Sequence, residues 1–360
     1  MKSLRDYADE INKCSKCGLC QSVCPLYKLT GNDCAVSKGK FIMLDGVIKG
    51  DLTLNKNIDK YLEMCLKCGK CTDFCPSGID VCKIFTAAKH DFLKDTTCGK
   101  LIEFAQSEKI FDRIINTIGE INKTEKISKN SDGTQKNLIF FRGCANKINP
   151  SSENNIRKIL TNLSYTLEND DFKCCGVPFA SSGNIKRYEE VEKYNTEIIN
   201  NSQSDIVITD CASCASSIKS YKNTDKQIKN FVEFLADENI KFRFKKKYKI
   251  TFHKPCHLKN YEAVKKVFKN CENIEYMEMP NYDDCCGFAG QFAITNRKYS
   301  IELSKQKIKN ALSTKPDIIL TACPACLLGL TQGLFYTRGI KLQPKIMNIT
   351  EFLSNAEAYL

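Results

Sequence analysis

Apolar residues recur along this chain in two rhythms. Between residues 40 and 64 they fall at helical spacing, first Leu44, Val47 and Ile48, then Ile58, Tyr61 and Leu62, which predicts helix. Leu101, Ile102, Phe104, Ala105, Phe111, Ile114 and Ile115 form a second helical stripe. From residue 138 onward the rhythm changes. Leu138–Phe141, Asp205–Thr209, Lys249–Phe252 and Asp317–Thr321 are short apolar runs of strand type. Between them, residues 187–201 carry Tyr188, Val191, Tyr194 and Ile198 at helical spacing, and 297–312 carry Ile301, Ile308 and Leu312 likewise. Alternating strands and helices predict an α/β second half, and the first hundred residues predict short helices on turn-rich segments. Residues 121–137 are polar with an internal Asp-Gly and read as a linker. No apolar run is long enough to span a bilayer. The N-terminus lacks the apolar core of an export signal, so a cytoplasmic location is expected, with a peripheral contact at the inner membrane face left open.

An internal repeat organises the second half. Cys144 and Cys256 lie 112 residues apart, Cys174 and Cys285 lie 111 apart, and both Cys211/Cys323 and Cys214/Cys326 lie 112 apart. The strand before each later pair also recurs, as Ile206-Val-Ile-Thr-Asp-Cys and Ile318-Ile-Leu-Thr-Ala-Cys. Chance does not hold four cysteine offsets to within one residue. The expected layout is therefore a helical module over 1–100, a helical linker over 101–137, and duplicated α/β domains over 138–247 and 248–360.

Hydrophobic residues at 42% and charged residues at 27% are ordinary for a globular chain, which leaves the 22 cysteines as the outlier. Disulfides suit short secreted chains. A long chain without an export signal, with cysteines in CxxC and CCG groups, points to metal in a reducing compartment. The formal charge of +12 counts those cysteines as neutral. As metal-bound thiolates, four sites would each carry roughly −2 and cancel most of the excess. The lysines are scattered apart from Lys245-Lys246-Lys247, read as a solvated turn, and nucleic acid is not an expected partner.

Cys14-x-x-Cys17-x-x-Cys20-x-x-x-Cys24-Pro25 and Cys65-x-x-Cys68-x-x-Cys71-x-x-x-Cys75-Pro76 are two copies of the bacterial ferredoxin run. Three thiolates at this spacing wrap one cubane, and the fourth, before proline, ligates the other. One 4Fe-4S site is thus Cys14, Cys17, Cys20 and Cys75; the other is Cys65, Cys68, Cys71 and Cys24. Gly18 and Gly69 are expected to let backbone approach the clusters. Structural zinc also takes CxxC pairs, but three cysteines plus Cys-Pro, seen twice, is not a zinc spacing. The gap of 40 residues between Cys24 and Cys65, with its helical filling, indicates an α-helical module.

Each half of the repeat carries five more cysteines. The first set is Cys144, Cys174, Cys175, Cys211 and Cys214; the second is Cys256, Cys285, Cys286, Cys323 and Cys326. The lone cysteine and the CxxC follow strands, and each Cys-Cys-Gly precedes a helix. Strand C-termini and helix N-termini meet at the ligand-binding edge of an open sheet, so each edge would gather five thiolates. Five sulfurs exceed the need of one cubane or one zinc, and adjacent cysteines do not easily serve the same face of a regular cluster. An unusual cluster, a four-ligand zinc site in one copy, and a labile disulfide stay open. Gly176 and Gly287 are expected to relieve crowding beside the cluster.

The tandem resembles the cysteine-rich CCG domains of heterodisulfide reductases, and that resemblance implies a non-cubane 4Fe-4S cluster in each five-cysteine set. The whole layout is similar to the iron–sulfur subunits of glycolate oxidase and related lactate-oxidising systems. The stretches that carry it begin with Cys17-Gly-Leu-Cys-Gln-Ser-Val-Cys-Pro-Leu-Tyr and Cys68-Gly-Lys-Cys-Thr-Asp-Phe-Cys-Pro-Ser-Gly. His253-Lys-Pro-Cys-His-Leu, Cys285-Cys-Gly-Phe-Ala-Gly and Thr321-Ala-Cys-Pro-Ala-Cys-Leu-Leu follow. The likeness implies an electron-transfer subunit that passes electrons from an FAD-containing 2-hydroxy-acid dehydrogenase, of glycolate or D-lactate type, to a quinone or soluble carrier. Both CxxC pairs are intact, which keeps catalytic disulfide reduction as an alternative. An anaerobic glycerol-3-phosphate dehydrogenase subunit and a zinc scaffold are others.

The remaining cysteines, Cys34, Cys82, Cys98 and Cys271, read mainly as small buried hydrophobes, with Cys82 near enough to Cys75 to line a cluster. His253 and His257 read as satisfied structural histidines, His257 also as a hydrogen-bond donor to a cluster sulfur. No GxGxxG, GxxxxGK[ST] or HExxH is present, so neither flavin nor NAD is expected on this chain.

Overall fold

Short capped helices carry the first hundred residues. Asn55 opens the helix Lys56–Glu63 by accepting from the N–H groups of Asn57 and Ile58, and Asp80 opens Val81–Leu93 by accepting from Lys83. The helix Ser37–Lys49 ends at Gly50, whose φ of 85° is the left-handed cap geometry. The helical filling of 40–64 is thus two helices, broken at this glycine. Phe41, Leu44, Ile58 and Leu62 pack on Ile84, Phe85 and Ala88 to form the module's core. The computed structural model describes residues 3–94, 96–121, 136–161, 163, 165–168, 171–337 and 343–360. Most of the stretch 121–137 read as a linker lies outside the described residues.

The stripe over 101–115 is split between the helices Thr97–Ala105 and Arg113–Ile121, with a wide turn at Glu108–Asp112. Leu101, Phe104 and Ile114 face solvent, while Phe111 meets Phe179 edge to face at 5.1 Å.

Two parallel sheets follow. The first contains β1 (Lys136–Phe140), β2 (Tyr165–Glu168), β3 (Ile206–Thr209) and β4 (Gln227–Asn230) in the order β2-β1-β3-β4. The second contains β5 (Lys241–His253), β6 (Cys271–Tyr276), β7 (Ile318–Thr321) and β8 (Lys345–Asn348) in the order β6-β5-β7-β8. A last strand, β9 (Glu357–Tyr359), runs antiparallel to the start of β5. Identical strand order is the repeat expressed as topology. In each sheet the chain reverses its winding direction between the two central strands, β1/β3 and β5/β7, which is where such sheets bind ligands.

Lys245-Lys246-Lys247 is not a turn. Buried Phe242 and Phe244 draw this segment into β5, and the lysines stand exposed at a register shift between Arg243 and Tyr248. One hydrophobic core runs through both sheets, from Phe140 and Val207 to Phe252 and Ile318. The halves also meet where the Ala212 N–H donates to the Ala322 carbonyl at 3.1 Å. Among the described residues no helix is long and apolar enough to cross a membrane.

Candidate metal centres

Two cavities open in the helical module, and the proline-linked cysteines cross between them. Cys14, Cys17, Cys20 and Cys75 line one. Cys65, Cys68, Cys71 and Cys24 line the other. Cys71 borders both. The two runs share a backbone shape: Lys16 and Gly18 have φ of 57° and 85°, and Lys67 and Gly69 have 51° and 76°. Such alternation turns successive N–H groups inward as an anion-binding nest. The Lys67 N–H already points at Cys65 Sγ, 3.5 Å away. Burial pushes the Cys24 thiol up and the Cys71 thiol up to about 12, Cys65 adding to the latter. Thiols so placed resist ionisation unless a cation replaces the proton. Among the described residues no carboxylate lines either cavity, and a donor set of thiolates selects iron–sulfur clusters or zinc over hard cations.

The ten cysteines of the repeat form one continuous series of contacts. Cys144 and Cys174 stand 3.7 Å apart at Sγ. Cys175 accepts from Cys174 and Cys214, which holds it well below the ordinary thiol range, and Cys214 in turn adjoins Cys211. The second set repeats this. Cys256 adjoins Cys285, and Cys286 is held low by donation from Cys285 and Cys326. Cys326 adjoins Cys323. The two series touch where Cys211 Sγ and Cys323 Sγ lie 4.0 Å apart. Eight of the ten are buried. Gly176 and Gly287 relieve crowding, but against the longer helices 185–201 and 297–312: a Cβ on Gly287 would stand 2.7 Å from Leu303 Cβ, and one on Gly176 would stand 2.6 Å from the Tyr188 ring.

The helical module docks its second cavity on the second set. Burial pushes the Cys68 thiol well up, and nearby Cys285 and Cys256 add to it. Lys70 holds Asp284 at 2.7 Å and Asp283 at 3.0 Å, and Lys259 holds Asp73 at 2.5 Å. His257 spans the junction. The Lys67 carbonyl can only accept, so Nε2 donates to it at 3.2 Å and Nδ1 accepts from Ser213 at 2.9 Å. The four sets therefore stand in a line whose order differs from the sequence. It runs from Cys14–Cys20 to Cys65–Cys71, then to the second set, and last to the first. Cys17 is exposed at one end. At the other, Cys144 and Cys174 border an open cavity that also takes in Lys147, Lys173 and Tyr194.

The other cysteines and the histidines meet expectation in part. Cys34, Cys82 and Cys271 are half-buried and Cys98 is exposed; Cys82 does line the second cavity. His257 is satisfied as expected, but buried His253 has, among the described residues, no hydrogen-bond partner on either ring nitrogen. Lys40 and Lys307, two buried lysines beside sulfur sets, carried no sequence signal.

Comparison with known proteins recovers the same domain layout along the chain. Residues 10–79 match the model of the 4Fe-4S dicluster domain, and 138–219 and 250–331 each match that of the CCG cysteine-rich domain. One subunit of the fumarate reductase (CoM/CoB) of Methanothermobacter marburgensis is 25% identical over 98% of this chain and 74% of its own length. The probable glycolate oxidase iron–sulfur subunit of Bacillus subtilis is 20% identical over 97% and 95%. One subunit of the dihydromethanophenazine:CoB–CoM heterodisulfide reductase of Methanosarcina barkeri is 21% identical over 90% and 89%.

Proposed function

Since the chain belongs to the CCG cysteine-rich domain family, with a 4Fe-4S dicluster domain ahead of the two copies, we propose that it conducts electrons along the line of its four cysteine sets for a flavin-dependent 2-hydroxy-acid dehydrogenase. That it is an iron–sulfur electron-transfer component of an oxidoreductase follows from its relatives, which are oxidoreductase subunits. The finer reading assigns two cubane clusters to the ferredoxin-type sets and a non-cubane 4Fe-4S cluster to each five-cysteine set. Iron–sulfur groups supply one-electron exchange when bound. This chain's own part is to hold them in fixed order, shield the inner ones and leave both ends accessible. The observation that carries the reading is the unbroken succession of sulfurs from exposed Cys17 to the cavity at Cys144. A partner FAD protein would exchange electrons at one end, and a quinone or soluble carrier at the other.

Purification of the native complex without oxygen tests this. A co-purifying flavoprotein that bleaches with glycolate or D-lactate is the expected result. Cys175→Ala and Cys285→Ala should each abolish turnover while the ferredoxin-type signals persist; unchanged turnover in either removes that set from the path. A second reading, disulfide reduction on this chain itself, is favoured by the two five-cysteine sets facing each other at Cys211 and Cys323. A flavin-free protein that reduces a disulfide from a chemical electron donor would make it the leading one.

A further inference from the structure

The halves of the repeat hold the same five cysteines in different surroundings. At the 112-residue offset, His253 stands where the first copy has Phe141, and Lys307 where it has Asn195. Asn195 is fully engaged: Oδ1 accepts from the Lys173 N–H at 2.9 Å, and Nδ2 donates to the Cys174 carbonyl and the Tyr221 hydroxyl, both at 3.2 Å. His253 is the opposite case. It closes β5, its position paired with Thr321 of β7, and its side chain is wholly buried. A neutral imidazole carries one N–H and one lone pair, and here neither meets a hydrogen-bond partner among the described residues. Tyr282 offers a carbonyl on that side, but outside hydrogen-bonding geometry. A buried polar group left so calls for an explanation.

Its neighbours supply one. The donor atoms of His253, Cys286 and Cys326 all lie within 4.8 Å of one another. Donors bound at 2.0–2.3 Å around one tetrahedral metal stand roughly 3.5 Å apart, so the trio needs little adjustment to share an ion.

We propose that His253 is a nitrogen donor to the iron held by Cys286 and Cys326, so that the second five-cysteine set is a mixed sulfur–nitrogen site and the first, with Phe141 in that place, is sulfur-only. The inference rests on the reading that this set holds an iron–sulfur cluster. Its consequence is that the two halves of the repeat, alike in cysteines, are spectroscopically distinct.

The test is pulsed EPR on the full chain, purified without oxygen after labelling with ¹⁵N-histidine and poised where each cluster is paramagnetic. The expected result is a directly bonded ¹⁵N coupling on one of the two non-ferredoxin signals. It should vanish in His253→Phe, which inserts the side chain that the first copy accommodates, and survive in His257→Phe. His90 is held at Gly183 through Nδ1. A coupling that survives His257→Phe therefore assigns His253 even if His253→Phe fails to fold. Absence of directly bonded nitrogen, or its loss in His257→Phe, overturns the inference while leaving the cluster reading intact. Iron and sulfide sufficient only for the ferredoxin-type sites overturns both.

Discussion

Cys71 and Cys82 both border the second ferredoxin-type cavity, and spacing alone separates their roles. Cys71 belongs to a CxxCxxC run, whereas Cys82 sits in the first turn of the helix Val81–Leu93. Cys71→Ala should remove one cubane signal, and Cys82→Ala should leave both; retention of both signals in Cys71→Ala would contradict the assignment. Away from the sulfurs, Asp59 offers a pH test. Burial pushes its carboxyl up to about 6, with Glu63 reinforcing and Lys89 opposing. A folded pKa above the unfolded one gives stability that is fully present below about pH 4 and lost as pH rises through 6. Asp59→Asn should therefore stabilise the chain at pH 7 by about 1 kcal/mol, allowing for solvent screening of a half-exposed group. Denaturant melts at pH 4 and pH 7 check it, and an equal gain at both would contradict the account. Cysteine spacing picked out in the sequence the thiols that the fold gathers, because cluster binding calls for fixed local geometry. The unpartnered state of His253 was not legible, since it arises from what β7 and the helices pack around it.

A glycine follows each Cys-Cys pair where the backbone packs against a longer helix, 185–201 or 297–312. Gly287 has φ of 83° and no room for a Cβ, whereas Gly31 has φ of 62° and open space around it. Gly287→Ala should cost roughly 1–3 kcal/mol from backbone strain plus the clash with Leu303, and should weaken the second set's signal. Gly31→Ala should cost only about 1 kcal/mol and change no signal. Thermal melts with parallel EPR decide between them, and equal effects would contradict the crowding argument. At this scale the central strands and the helices 185–201 and 297–312 were readable from apolar periodicity. The edge strand β6 was not, because Cys271–Tyr276 alternates exposed and half-buried positions and carries two glutamates. The lysine triplet misled for a related reason: its charge suggested a turn, while the flanking Phe242, Phe244 and Tyr248 held it in β5.

At the scale of the whole molecule, the order of the four sets is the property that sequence could not reveal. It depends on docking: Lys70, Lys259 and His257 fasten the cavity-bearing face of the helical module to the second copy, while the first copy, which follows it in the chain, meets the module elsewhere, at His90 and Gly183. Lys70→Glu would set a like charge against Asp283 and Asp284. It should slow reduction of the five-cysteine sets in stopped-flow experiments while the ferredoxin-type signals appear at the wild-type rate; equal rates throughout would place the electron path elsewhere. The central claim, four clusters in one line, is tested most directly by iron and acid-labile sulfide analysis of the anaerobic chain, joined to a stepwise EPR redox titration. The account predicts about 16 iron atoms per chain, four clusters of four, with two signals lost in the Cys175→Ala, Cys285→Ala double variant. About eight iron atoms, with zinc in the five-cysteine sets and no change in that variant, would contradict it.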